Sequence, residues 1–218
     1  MTEAAHPALE PALAAGVRAL GQALEPADIS RLATLLAELA RWNRRINLTA
    51  VREPGRMVGQ HVLDSLAVRP LLRGARVLDV GTGAGFPGLP LAIASPAMQF
   101  TLLDSNGKKI SFVRHMIGEL GLSNAEAVQA RVERHAPAEA YDTVVARAFA
   151  PLPRMLELAG HLVADGGVLL ALKGHYPETE LAELGDDWTA DVSRLTVPGL
   201  DDHERHAVRL SRRGGAAA

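Results

Sequence analysis

The hydrophobic pattern divides the chain into a helical beginning and an alternating strand–helix body. Ile29, Leu32, Leu35, Leu36 and Leu39 recur at steps of three and four, which places them on one face of a helix opening at Pro26. Proline suits a first helical turn, where its missing N–H would have no helical partner. A second helical pattern runs through 55–70, and the Ala-rich, proline-interrupted stretch 1–25 predicts a frayed helix. From Arg76 the period changes. Arg76 to Val80 is a short apolar strand that leads into glycines and then a helical stretch. Gln99 to Leu103 is a second strand, followed by a helix over about Lys108 to Leu120. Ala125 to Ala130, Asp142 to Ala146 and Val168 to Leu172 read as further strands.

Strands that alternate with helices form a mostly parallel sheet with helices on both faces. The tail departs from this rule. Thr189 to Val197 and His206 to Ser211 are strand-like, and only the turn from Pro198 to Asp202 joins them, so they pair antiparallel. The expectation is a seven-stranded sheet with an antiparallel C-terminal strand. It divides the chain into a helical extension over 1–70, an α/β domain over 71–212 and a disordered tail over 213–218.

Composition narrows the function. The chain has 218 residues, 48% of them hydrophobic, which supports a core and excludes wholesale disorder. With 23 Lys+Arg against 25 Asp+Glu the net charge is −2, so this is no generally basic nucleic-acid coat, and any RNA contact is a local patch. The absence of cysteine excludes disulfides, thiolate zinc sites and a cysteine nucleophile. The eight histidines are scattered, with only His203 and His206 close in sequence, and no metal is expected. No apolar run reaches the roughly 18 residues of a membrane span. No basic-then-apolar leader opens the chain. A cytoplasmic, monomeric protein is expected.

The segment Val77-Leu78-Asp79-Val80-Gly81-Thr82-Gly83-Ala84-Gly85-Phe86-Pro87-Gly88 ends the first strand, where open α/β sheets bind ligands. Gly81, Gly83 and Gly85 allow close backbone approach and positive φ. Gly83 to Gly88 matches the dinucleotide fingerprint, so a dinucleotide and S-adenosylmethionine compete for this loop. Asp79, at the loop mouth, would repel a diphosphate and attract the ammonium of S-adenosylmethionine. Asp104 ends the next strand and can accept from ribose hydroxyls, which serves either cofactor. The antiparallel tail is the usual finish of the methyltransferase sheet. Together these features favour S-adenosylmethionine and a Rossmann-like class I methyltransferase.

A wider set of motifs agrees. Trp42-Asn43, Ile46-Asn47-Leu48-Thr49, His61 with Asp64-Ser65-Leu66, the Asp79 to Gly88 loop, Leu102-Leu103-Asp104-Ser105 with Lys108-Lys109, Arg147-Ala148-Phe149-Ala150 and Leu172-Lys173-Gly174 run from Leu36 to Leu210. In these the chain resembles the RsmG (GidB) family of bacterial 16S ribosomal RNA guanine-N7 methyltransferases. The resemblance implies methylation in the 530 loop, with 16S rRNA in the 30S subunit or an assembly intermediate as partner. It also implies that Gly81, Phe86, Val132, Glu133 and Arg147 line the cofactor. Guanine N7 carries an in-plane lone pair, so no general base is required and no catalytic side chain is expected; placement supplies the rate.

Several residues keep two readings. Phe86 covers the cofactor or anchors the helix start. Glu133 bonds near the adenine or is an exposed cap charge. Arg147 meets the methionine carboxylate, guanine or RNA phosphate, or forms a surface salt bridge. His61, Asp64 and Ser65 share a helical face, either as a substrate-side wall or as a brace. Lys108, Lys109 and Lys173 contact phosphates or are simply solvated. Arg44 and Arg45, with Arg41, Arg52 and Arg56 around Trp42, suit RNA contact, though Trp42 also reads as core. Rival functions are a non-catalytic RNA-binding assembly factor, a methyltransferase with a non-RNA substrate, and an NAD-dependent oxidoreductase.

Overall fold

Alternation along β1 (Arg76–Val80) sets the layers of the molecule, described here from a computed structural model over residues 8–200 and 202–214. Val77 joins the apolar layer under the N-terminal helices, whereas Leu78 and Val80 join the opposite layer. The other strands are β2 (Gln99–Asp104), β3 (Ala125–Gln129), β4 (Tyr141–Arg147), β5 (Val163–Lys173), β6 (Trp188–Arg194) and β7 (His206–Arg212). They form one sheet in the order β3-β2-β1-β4-β5-β7-β6. β7 runs antiparallel to both neighbours, with Ala171 opposite Val208 and Val192 opposite Val208, while β1 to β5 are parallel. The strand order reverses beside β1, which opens a crevice at the carboxyl ends of β1 and β4.

One sheet face carries α1 (Glu10–Ala19), α2 (Pro26–Asn43), α3 (Pro54–Met57), a π-helical stretch (Val58–Leu63), α4 (Asp64–Leu66), α5 (Gly88–Ala94) and α6 (Gly107–Glu119). The other carries α7 (Leu152–Ala159), and α8 (Glu178–Ala182) precedes β6. Leu32, Leu36 and Leu39 of α2 share a core with Val77 and Phe100, so the helical extension packs continuously with the sheet.

The frayed N-terminal helix expected from the sequence is corrected in part. α1 is formed, with Leu13 and Val17 buried, and Gly16 sits so close to Leu63 that an added Cβ would fall 2.3 Å from Leu63 Cδ1. Alanine-rich periodicity is weak, but a single small residue allows the helices to meet. Residues 1–7, and 215–218 of the expected disordered tail, lie outside the described residues; Arg213 and Gly214 form a turn after β7.

Candidate cofactor and substrate site

Two adjoining cavities occupy the carboxyl edge of the sheet. The first, of about 380 Å³, is framed by Val80, Gly81, Asp104, Val132, Glu133 and Phe149. The glycine loop enters it at Gly81, and Gly81, Gly83 and Gly85 have φ of 68°, 59° and 86°. A Cβ on Gly81 would stand 2.8 Å from the Phe149 ring, so both backbone sign and space demand glycine. The Thr82 N–H donates to the Leu103 carbonyl at 3.0 Å, which ties the loop to the end of β2.

Asp104 fastens the same loop. Its Oδ2 accepts from the Gly83 N–H at 3.0 Å and its Oδ1 from the Asn106 N–H at 2.8 Å. Each oxygen keeps a lone pair for a ribose hydroxyl, and the side chain reaches the cavity. Lys109 also lines this cavity, whereas Lys108 is exposed one residue earlier on α6.

Asp79 is not at the cavity mouth, where the sequence places it. It shares the face of Val77, is 1% exposed, and braces the loop against the start of α5. Its Oδ2 accepts from the Thr82 hydroxyl at 2.6 Å and the Gly88 N–H at 2.8 Å. Oδ1 is buried with no hydrogen-bond partner among the described residues. Burial raises the carboxyl pKa to about 6, against the pull of the Thr82 and Gly88 hydrogen bonds.

The second cavity, of about 540 Å³, is lined by Gln60, His61, Asp64, Arg147, Lys173 and Arg205 among others. Asp64 sits between two guanidinium groups. Arg147 Nη1 donates to its Oδ2 at 3.0 Å and to the Gln60 carbonyl at 3.1 Å, and Arg205 Nε donates to its Oδ1 at 3.0 Å. Lys173 Nζ is held by Glu180 at 2.7 Å and the Ala150 carbonyl at 3.1 Å. Arg147 therefore faces the second cavity, not the first. Phe86 lies behind that wall, buried, with its ring stacked on His61 at 4.9 Å and 5.8 Å from the Arg147 Cζ.

His61 is neutral. Burial and the nearby Arg147 charge lower its pKa to about 4. Its Nδ1–H donates to the Gln60 carbonyl at 3.1 Å, which leaves Nε2 to accept from the Thr49 hydroxyl at 2.9 Å. The cavities meet at Ala148, which lines both and is the one non-glycine residue with positive φ (51°) among the described residues. Such strain collects at functional sites.

The arginine-rich segment stands apart. Arg41, Trp42, Arg44, Arg45 and Ile46 surround a depression of about 420 Å³. Arg44 and Arg45 are exposed. The Trp42 ring is committed to α6, edge-on to Phe112 at 5.5 Å and stacked on His115 at 5.1 Å. Asn43 accepts from the Leu48 and Thr49 N–H groups, so the segment connects through Thr49 to His61.

Two site residues were missed in the sequence. Phe149 lies in the Arg147 to Ala150 motif, but its packing on Gly81 is a long-range contact. Arg205 carries no signal, since nothing in the tail pattern ties it to residue 64. Among the described residues no three His, Asp or Glu side chains group as a metal site.

The first cavity fits an adenosine-bearing cofactor. Gly81 leaves a cradle that a Cβ would fill, Val132, Leu158 and Phe149 offer apolar walls, and Asp104 offers acceptors. With β7 reversed at the end of a parallel sheet, fold and cavity define the class of S-adenosylmethionine-dependent methyltransferases. The family profile described as GidB, rRNA small subunit methyltransferase G, matches residues 28–208, and the chain belongs to that family. The chain is similar to the ribosomal RNA small subunit methyltransferase G of Laribacter hongkongensis (48% identity over 94% of this chain and 99% of the relative). It is also similar to that of Chromohalobacter salexigens (50%, over 94% and 99%). Among solved structures, a SAM-dependent methyltransferase from Aquifex aeolicus aligns with a TM-score of 0.55 at 19% identity, over 72% of this chain and 93% of that one. A putative methyltransferase from Thermoplasma acidophilum aligns with a TM-score of 0.54 at 15% identity, over 66% and 70%. These two show the fold alone.

Proposed function

We propose that this protein transfers a methyl group from S-adenosylmethionine to N7 of a guanine in 16S ribosomal RNA. It acts as a cytoplasmic monomer on the small ribosomal subunit or its precursor. The observation that carries this reading is the junction at Ala148, where the cavity that the glycine loop enters meets a charged one large enough for a purine. Gly81, Val132, Glu133 and Phe149 would hold the adenosine and methionine parts, Asp104 the ribose, and Arg147 a polar group at the junction. Gly83, Gly85 and Asp79 shape and brace the loop. When bound, the cofactor supplies an electrophilic methyl group on a sulfonium.

The remaining work is positioning. N7 of neutral guanine needs no deprotonation, so no free base is called for in the second cavity. His61 has both nitrogens engaged, and Asp64 is paired with two arginines. His61 and Phe86 form a rigid wall. Arg147, Arg205 and Asp64 present donors and acceptors to the base, and Lys173 adds a cation at the rim. Holding two reacting atoms close and in line is worth several kcal/mol of barrier. Arg44, Arg45 and Lys108 lie outside both cavities, where they can meet phosphates of the surrounding RNA. A net charge of −2 makes free RNA a poor ligand, so a folded particle is the substrate.

Incubation of purified 30S particles lacking the modification with labelled S-adenosylmethionine tests the proposal. Label in 16S rRNA, mapped by mass spectrometry to one N7-methylguanosine, is the expected result. Cofactor binding without label in rRNA would leave an RNA-binding assembly factor instead.

A further inference from the structure

Asp64 is a carboxylate at the surface of the second cavity, yet its side chain is only 6% exposed. A buried carboxylate is costly unless charges and hydrogen bonds satisfy it. Arg147 and Arg205 each occupy one of its oxygens. A carboxylate has about four lone-pair directions, so one remains on each oxygen. Arg147 spends Nη1 on Asp64 and Gln60, and its other N–H groups make no hydrogen bond among the described residues. The cavity thus offers a paired acceptor flanked by guanidinium donors, beside the aromatic wall of His61.

That pattern is complementary to one base. Guanine presents two adjacent donors, N1–H and N2–H, next to the O6 acceptor. Adenine presents a bare N1 and no 2-amino group, so a carboxylate there meets a lone pair. Carboxylates accept from base amino groups, and each well-formed bidentate pair discriminates strongly against the wrong base.

We propose that Asp64 is the specificity-determining residue, accepting from guanine N1–H and N2–H while a neighbouring arginine donates to O6. This rests on the reading that the second cavity takes the target purine. It gives the Asp64 carboxylate a role at a position only 6% exposed, where an uncharged residue would avoid the desolvation. It also leaves N7 and C8 on the edge away from Asp64, the edge that must meet the methyl group. The base is turned out of its RNA fold to enter, as enzymes that modify bases in structured nucleic acid require.

The test uses reconstituted 30S particles with guanosine, inosine or adenosine at the methylated position. Inosine keeps N1–H, O6 and N7 but lacks the 2-amino group. We expect the unmodified protein to favour guanosine over inosine by about tenfold or more in kcat/KM, and to leave adenosine unmethylated. Asp64→Asn is expected to lower transfer to guanosine and to bring the guanosine-to-inosine ratio to within about threefold of one. A purely structural Asp64 would slow both substrates equally and leave the ratio intact, which overturns the proposal. If the variant does not fold, the ratio for the unmodified protein decides: equal rates on guanosine and inosine also overturn it. Absence of transfer to any particle, with the cofactor bound, would instead refute the methylation itself.

Discussion

The two cavities are built from different materials. The first is mostly backbone: three glycines with positive φ, a loop amide on the Leu103 carbonyl, and a carboxylate whose two oxygens take main-chain N–H groups. The second sets side-chain charge in an apolar lining that includes Val51, Leu172 and Leu195, with Asp64, Arg147 and Arg205 drawn from three distant parts of the chain. A cofactor shared by many enzymes can be held by backbone geometry that the fold provides. A particular base needs donors and acceptors at chosen places. The two sites should therefore fail differently when altered.

Arg147 is the sharpest place to break this contrast, because it directly precedes Ala148, where the cavities meet. Arg147→Ala leaves Asp64 with one partner and the Gln60 carbonyl with His61 as its side-chain donor. Breaking a buried pair costs about 3 kcal/mol, at the low end because Arg147 is partly exposed. We expect methyl transfer to 30S particles to fall by at least about a hundredfold and cofactor affinity, read by calorimetry, to fall as well. Arg205→Ala touches the second cavity alone. It is expected to cost about 1.5–3 kcal/mol in kcat/KM, the scale of a charged hydrogen bond, with cofactor Kd within twofold of the unaltered protein. Equal effects of the two variants on cofactor binding would erase the division between the cavities.

Asp79 sharpens the comparison from the other side. Its folded pKa, about 6, lies above the 3.8 of an unburied group, so the native state binds the proton more tightly than the unfolded chain. The penalty for holding the charge is absent below about pH 4 and complete above about pH 6. The shift corresponds to about 3 kcal/mol. Asp79→Asn keeps an acceptor for Thr82 and Gly88 and removes the titration. Relative to the unaltered protein it should therefore gain stability by about that amount as pH rises from 4 to 7, measured by urea unfolding. Because Asp79 lies beneath the loop and does not line the cofactor cavity, the affinity for S-adenosylmethionine should change by no more than about 1 kcal/mol. A pH-independent difference in stability would mean that the folded carboxyl titrates where the unfolded one does, with no burial penalty.

Gly81→Ala perturbs only the backbone cavity. It forces a Cβ into left-handed backbone and toward the Phe149 ring. We expect a loss of about 1–2 kcal/mol in cofactor affinity, the cost of a non-glycine residue there, with the KM for 30S particles unchanged. A change in particle KM as large as the change in cofactor Kd would show that the cavities do not act separately.

What was legible in the sequence follows the same division. Strand β1, the glycine loop, Asp104 and the reversed tail strand are local signals of period, turn and composition, and the structure places each where the pattern requires. The depth of Asp79 was not legible, because motif spacing says that a carboxylate precedes the loop but not which sheet face it takes; the inclusion of Val77 in the α5 layer decides that. The resemblance implies Phe86 on the cofactor and the residue alone leaves a helix-start anchor open; its stacking on His61 is not legible in either, because it depends on a helix arriving from 58–63. Arg205 was invisible because its partner lies in another element. α7 is not legible because prolines at 151 and 153 flank Leu152 at the start of the run Leu152, Met155 and Leu156, and its helical character is set by packing on Leu78 and Val80.

The smallest effect lies outside both cavities. Arg44 and Arg45 are exposed on the segment that follows α2, and the Trp42 ring beside them is engaged by Phe112 and His115, so it is not a free stacking surface. Charge alone then remains for RNA contact, worth about 1 kcal/mol or less per phosphate at an exposed site. Arg44→Ala combined with Arg45→Ala is expected to raise the KM for 30S particles a few-fold and to leave kcat and cofactor Kd unchanged. The dependence of particle binding on salt should flatten by about 1.5 in the slope of log K against log salt, the share of two lost phosphate contacts. The segment also reaches His61 through Asn43 and Thr49. A fall in kcat with an unchanged salt slope would therefore mean that the substitutions act on the wall of the second cavity, and that the basic patch does not touch RNA.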